Sequence, residues 1–98
     1  MGLLDGKSGI VTGAAQGFGL ATAKRLAEEG AAVTLVDIKA NKVNAAAESL
    51  VSKGLKAIAV EADVSDENAT IRMLDEAEQT FGELNFIHQN AAIQVEKL

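Results

Sequence analysis

One segment carries residues whose types and order suit a diphosphate: Thr12-Gly13-Ala14-Ala15-Gln16-Gly17-Phe18-Gly19, with glycines spaced G-x-x-x-G-x-G. It follows an apolar run and opens a helical pattern, the context in which a glycine motif gains meaning. Gly13 permits a sharp turn off a strand. Gly17 lets the main chain approach a pyrophosphate. Gly19 removes a side chain where helix and sheet pack closely. Phosphate oxygens would then meet free main-chain N–H groups and the positive end of a helix. No Lys-Ser/Thr pair follows the last glycine, so the segment is not a triphosphate-binding P-loop. Asp37 lies 18 residues beyond Gly19. A carboxylate there can accept hydrogen bonds from both hydroxyls of an adenosine ribose and would repel a 2′-phosphate; it could also cap the helix that follows. Gln16 and Ile38 flank that position without supplying a cation, although Lys39 is near. Asp63 offers a short carboxylate to the exocyclic amine of an adenine, and Val64 a cover for its ring; a loop Asp near a helix start is the alternative reading. Asn90-Ala91-Ala92-Ile93 brings small residues to a strand end, leaving room for a ribose.

These residues must be positioned by alternating apolar runs and helix-periodic stretches. Residues 7–12 read as a strand centred on Ile10 and Val11. Residues 18–29 read as a helix with Phe18, Leu20, Ala23, Leu26 and Ala27 on its apolar face and Gly30 beyond its end. Residues 32–37 are almost unbroken apolar, as a parallel strand buried on both faces requires. Residues 41–53 form a second helix, with Val43, Ala46, Ala47, Leu50 and Val51 inward, and Gly54 ends it. Residues 56–61 form a third strand. Ser65 is expected to cap a third helix, with Asp66 and Glu67 in its first turn and Ile71, Leu74, Ala77 and Phe81 inward; Gly82 closes it. Residues 84–89 form a fourth strand and residues 90–98 a tail. The order β-α-β-α-β-α-β with short, right-handed connections predicts an α/β fold, a Rossmann-type parallel sheet with flanking helices and strand order 3-2-1-4.

Ninety-eight residues make one domain, 1–98. A complete two-halved fold of this kind needs six strands, so the chain is expected to be incomplete, the N-terminal part of a dinucleotide-binding domain. A net charge of −5 opposes binding to nucleic acid and to anionic membrane surfaces. The absence of cysteine leaves no disulfide framework, thiolate nucleophile or zinc–thiolate site, and no metal site is expected. No apolar run approaches the length of a membrane span. The start of the chain does not read as a signal peptide, and Gly6 stands where a myristoylation motif wants Ser or Thr. A cytoplasmic location follows as an expectation. His88, the only histidine, falls within the fourth strand and reads as a packed strand residue.

Together, Thr12 to Gly19, Asp37, Asp63-Val64 and Asn90-Ala91-Ala92 resemble the N-terminal part of short-chain dehydrogenases/reductases. Leu4-Asp5-Gly6-Lys7 is similar to the usual lead-in to their first strand. The resemblance spans nearly all of this chain and about the first two-fifths of a typical member. It implies that Gly13, Gly17 and Gly19 hold the pyrophosphate, with contacts from Gln16 and Phe18. It places Asp37 and the adjoining Ile38 at the adenosine ribose and Asp63 and Val64 at the adenine. Asn90, Ala91 and Ala92 would lie between ribose and nicotinamide. The cofactor implied is NAD, preferred over NADP because of Asp37. Two departures stand out. Gln89-Asn90-Ala91-Ala92 replaces the usual Asn-Asn-Ala-Gly, and Phe18 replaces a common aliphatic residue.

The family's catalytic Ser, Tyr and Lys would lie beyond position 98, and this chain has no tyrosine. The expected function is therefore the cofactor-binding part of an NAD(P)-dependent oxidoreductase that moves hydride between a nicotinamide and a carbonyl or alcohol of a small-molecule substrate. The 98 residues alone are expected to be inactive, with no catalytic residue among them. A non-catalytic nucleotide-binding module is the alternative. An S-adenosylmethionine-dependent methyltransferase fragment is a more distant one, because its glycine spacing is usually tighter. A fourth strand without a fifth would expose a parallel edge that invites association, and a homo-oligomer is expected of the parent.

Overall fold

The computed structural model describes residues 2–90. Seven elements alternate along the described residues: β1 (Ser8–Thr12), α1 (Gly17–Glu28), β2 (Ala32–Asp37), α2 (Ala40–Val51), β3 (Ala57–Glu61), α3 (Glu67–Phe81) and β4 (Phe86–Gln89). The four strands form one parallel sheet in the order β3-β2-β1-β4, as expected of the Rossmann-type pattern. β1 and β2 are central, so their neighbours and both layers of helix exclude water. All five residues of β1 and the first five of β2 are buried, which is why their sequences carry no polar alternation. β3 and β4 lie at the edges and are only partly covered.

Right-handed crossovers also decide which face each helix covers. The chain steps from β1 to β2 to β3 in one direction and then returns past β1 to β4. The first two helices therefore share one face and the third takes the other. Val11, Val33 and Leu35 pack with Ala23, Ala27, Val43, Ala47 and Leu50 on the first face. Ile10, Val36 and Val60 pack with Ala69, Met73 and Ala77 on the second. Reversal of strand order between β2 and β4, on either side of β1, opens a crevice beyond the carboxyl ends of the strands, where ligands bind in sheets of this kind.

Several inward faces differ from those the periodicity predicts. In α1 the buried stripe is Gly19, Ala23 and Ala27, residues four apart whose small side chains let the helix lie close to the sheet. Leu20 and Leu26 sit at its margins, half-buried. Phe18 is 86% exposed rather than inward. In α3 the stripe is Ala69, Met73 and Ala77; Ile71 is two residues out of phase with it and 54% exposed. Val51, at the last turn of α2, is also exposed. His88 lies in β4 opposite Val11 but is exposed rather than packed. Among the described residues β4 pairs only with β1, and three of its four residues are exposed.

Candidate functional site

Parallel pairing places the ends of all four strands on one edge. Thr12 pairs with Val36 and with Gln89, and Asp37 with Glu61. The segments that follow, Gly13–Gly17, Ile38, Ala62–Ser65 and Asn90, therefore gather at the same rim. Gly13, Gln16, Gly17, Phe18, Gly19, Asp37, Ile38, Asp63, Val64 and Asn90 are thus brought to this edge of the sheet. Ala91, Ala92 and Ile93 lie outside the described residues.

The glycine turn owes its shape to two different demands. Gly13 and Gly17 adopt φ of 63° and 64°, a region that costs an L side chain about 1–2 kcal/mol. A Cβ on Gly17 would meet nothing within 4 Å, so that flank of the turn is open to a ligand. Gly19 answers the other demand. A Cβ there would run into the Gly13 carbonyl oxygen and lie 2.9 Å from Asn90 Nδ2. Asn90 closes the turn from β4. Its N–H donates to Thr12 Oγ1 at 3.2 Å, and its Nδ2 donates to the Gly13 carbonyl at 3.4 Å. Its side chain therefore supports the glycine turn.

Helix α1 begins without a side-chain cap and without an acidic residue in its first turn. Its leading N–H groups have no intrahelical partner, and the helix dipole adds partial positive charge. An anion is the natural complement. The exposed Phe18 ring stands beside this helix start.

Asp37 binds the glycine turn to the second strand. Oδ2 accepts from the Ala15 N–H and Oδ1 from the Lys39 N–H, each at 3.0 Å. The cap of α2 is Lys39, which forms no side-chain cap bond, so Asp37 turns the chain before the helix rather than capping it. Each carboxylate oxygen retains a lone pair for a further donor, the valence needed to receive a vicinal diol. Beyond Asp37 and Asp63, Ile38 and Val64 are exposed apolar residues on the rim, suited to cover a flat ring.

Asp63 is fixed by a residue expected to serve elsewhere. Ser65 donates to Asp63 Oδ1 twice, from its N–H at 2.9 Å and from its Oγ at 2.6 Å. These bonds, the hydroxyl's more than the amide's, hold the Asp63 carboxyl below its ordinary value. The cap of α3 is Asp66, which accepts from the N–H groups of Asn68 and Ala69. Ser65 is therefore not the cap.

The sequence reading missed one cation. Lys42 Nζ donates to Gln16 Oε1 at 3.0 Å, bridging the first turn of α2 to the glycine turn. Gln16 and Ile38 do not supply a positive charge, but Lys42 brings one to the same flank. Its place in the first turn of a helix that starts just after Asp37 was the available signal.

A family model described as short chain dehydrogenase matches residues 7–98. The chain belongs to the short-chain dehydrogenase/reductase family. A Mycobacterium tuberculosis protein named an uncharacterized oxidoreductase is 47% identical over 91 residues, which cover 93% of this chain and 37% of that protein. Versicolorin reductase 1 of Dothistroma septosporum is 37% identical over 91 residues, covering 92% of this chain and 35% of its own. The chain thus spans little more than a third of the length of the curated relatives it matches. Among solved structures, a hydroxysteroid dehydrogenase from Escherichia coli aligns with a TM-score of 0.88 at 32% identity, over 91% of this chain and 38% of that one. A short chain dehydrogenase/reductase from Burkholderia phymatum in complex with NAD aligns with a TM-score of 0.84 at 31% identity, over 89% of this chain and 31% of that one.

Proposed function

We propose that this chain forms the cofactor-binding part of an NAD-dependent oxidoreductase of the short-chain type. The carrying observation is the convergence of an uncapped helix start, an open glycine turn and the two-oxygen acceptor Asp37, tied together by the Ala15–Asp37 hydrogen bond. The pyrophosphate would meet the amides at the start of α1, near Gln16, Gly17 and Phe18. The adenosine ribose would donate to Asp37, with Ile38 beside it. Asp63 would accept from the adenine amine, and Val64 would cover the ring. Asn90, with Ala91 and Ala92, would adjoin the nicotinamide ribose. The bound cofactor supplies hydride to, or takes it from, a carbonyl or alcohol of a small-molecule substrate; these residues bind and orient it. The solved NAD complex of a family member supports this reading.

Asp37 favours NAD over NADP, because a 2′-phosphate would meet its charge. The 98 residues bind cofactor without turnover, since the chain spans little more than a third of its relatives and holds no tyrosine to act as proton donor. Among the described residues no helix is long and apolar enough to cross a membrane. The test is titration of the chain with NADH, NADPH and S-adenosylmethionine, followed by nicotinamide fluorescence and calorimetry. Tightest binding of NADH is expected. Binding of S-adenosylmethionine in preference to either dinucleotide would end the oxidoreductase reading.

A further inference from the structure

Ser65 has a hydroxyl that the helix behind it does not use. Asp66 caps α3 through the N–H groups of Asn68 and Ala69, so Ser65 is free to turn back toward Asp63. It does so with both of its donors, and both go to the same oxygen, Oδ1. Among the described residues no donor reaches Asp63 Oδ2. The main chain fixes this loop from both sides, through Ala62 N–H to the Asp37 carbonyl at 3.1 Å and Asp66 N–H to the Asp63 carbonyl at 2.9 Å. Asp63 is therefore an exposed carboxylate with one oxygen engaged, one left available, and little freedom to rotate.

We propose that Ser65 is a positioning residue for adenine recognition: it engages Asp63 Oδ1 so that Oδ2 remains the acceptor for the exocyclic amine of the base. The inference rests on the proposed reading in which Asp63 meets the adenine. A free surface aspartate loses rotamer entropy when it binds, and a group already held loses less. An exposed aspartate is ionised near neutrality with or without these bonds, hence acceptor-only. Such a group welcomes an amine and repels a carbonyl oxygen at the same place. Ser65 thus contributes to distinguishing an adenine from a hypoxanthine without touching either.

The experiment compares dissociation constants for NADH and for the reduced nicotinamide hypoxanthine dinucleotide, in which a carbonyl oxygen replaces the amine. Both are read by nicotinamide fluorescence on the chain and its variants. The wild type is expected to prefer NADH about tenfold, the worth of one hydrogen bond to a charged group. Ser65→Ala should reduce that preference to about threefold or less. Ser65→Thr should restore it, and Ser65→Val, with the shape of threonine but no hydroxyl, should not. Helicity by circular dichroism should stay unchanged throughout, because Asp66 holds the cap. The Asp63 carboxyl, followed by carbon NMR, should titrate at higher pH in Ser65→Ala and Ser65→Val than in the wild type or Ser65→Thr. A wild type that discriminates while Ser65→Ala discriminates equally would overturn the positioning role and leave the dinucleotide reading standing. NADH binding with no base preference in the wild type would overturn the adenine role of Asp63 and this inference with it. No NADH binding at all would defeat the functional reading itself.

Discussion

Replacing Gly19 by alanine sets two effects of opposite sign against each other. Glycine in a helix is less favourable than alanine by about 0.5–1 kcal/mol, so intrinsic propensity favours the variant. Against this, the new Cβ would collide with the Gly13 carbonyl, with that group's carbon 2.7 Å away and Asn90 Nδ2 2.9 Å away. Two of these three atoms are main chain and cannot swing aside. Overpacking of this kind costs about 1–3 kcal/mol, and the rigidity of the obstacle puts Gly19 at the upper end. The net expectation is a loss of about 2 kcal/mol, or about 10 °C in melting temperature for a domain of this size. Gly17→Ala and Gly54→Ala isolate the other demand. Both positions have positive φ and nothing within 4 Å of an added Cβ, so each should lose about 1 kcal/mol from backbone strain. Only Gly17 lies in the proposed cofactor site, so only Gly17→Ala should also weaken NADH binding. Urea denaturation with a parallel NADH titration measures all three variants. A Gly19→Ala protein as stable as the wild type would refute the claim that close packing, rather than flexibility, demands glycine there.

Lys42 should temper the selectivity proposed for Asp37, because Gln16 holds its ammonium on the same flank. Lys42→Glu is expected to shift the ratio of NADPH to NADH dissociation constants about tenfold further toward NADH; an unchanged ratio would remove Lys42 from the ribose site. Stability should respond to acid through Asp63. Its folded pKa lies below the ordinary value of about 3.9, so its contribution is complete above that value and is lost as pH falls through the lowered one. Denaturation midpoints of wild type and Ser65→Ala should therefore differ slightly near neutrality and converge in acid. A gap that widens on acidification would reverse the sign of this linkage.

Much of the fold is legible because its signals are local and redundant. Short apolar runs, Ile10-Val11 in β1 and the nearly unbroken Ala32–Val36 in β2, mark the central strands, and glycines punctuate the ends of all three helices. The site is legible for a related reason: strand ends at one edge of a parallel sheet are neighbours, so residues placed there meet however far apart they are in sequence. Other features depend on choices between equals. Ser65 and Asp66 are adjacent and both make good caps; Asp63, by engaging Ser65, leaves the helix to Asp66. The inward face of α3 could follow residues 71, 74, 77 and 81 or residues 69, 73 and 77. Packing against the sheet selects the second, with Leu74 half-buried beside it. The Gln16–Lys42 contact joins two long side chains from different elements, and no linear motif records such a meeting.

The bond from Asn90 to the glycine turn has a consequence for synthesis. Thr12 and Gly13 leave the ribosome early, but the residue that completes their turn is translated 78 positions after the first of them. At about 5–20 residues per second, that interval is about 4–16 seconds. During it β1 can pair with β2 while its other side waits for β4. The glycine turn is therefore completed only once Asn90 has been made, and a nascent chain that stops short of Asn90 should hold NADH less firmly than one that includes it.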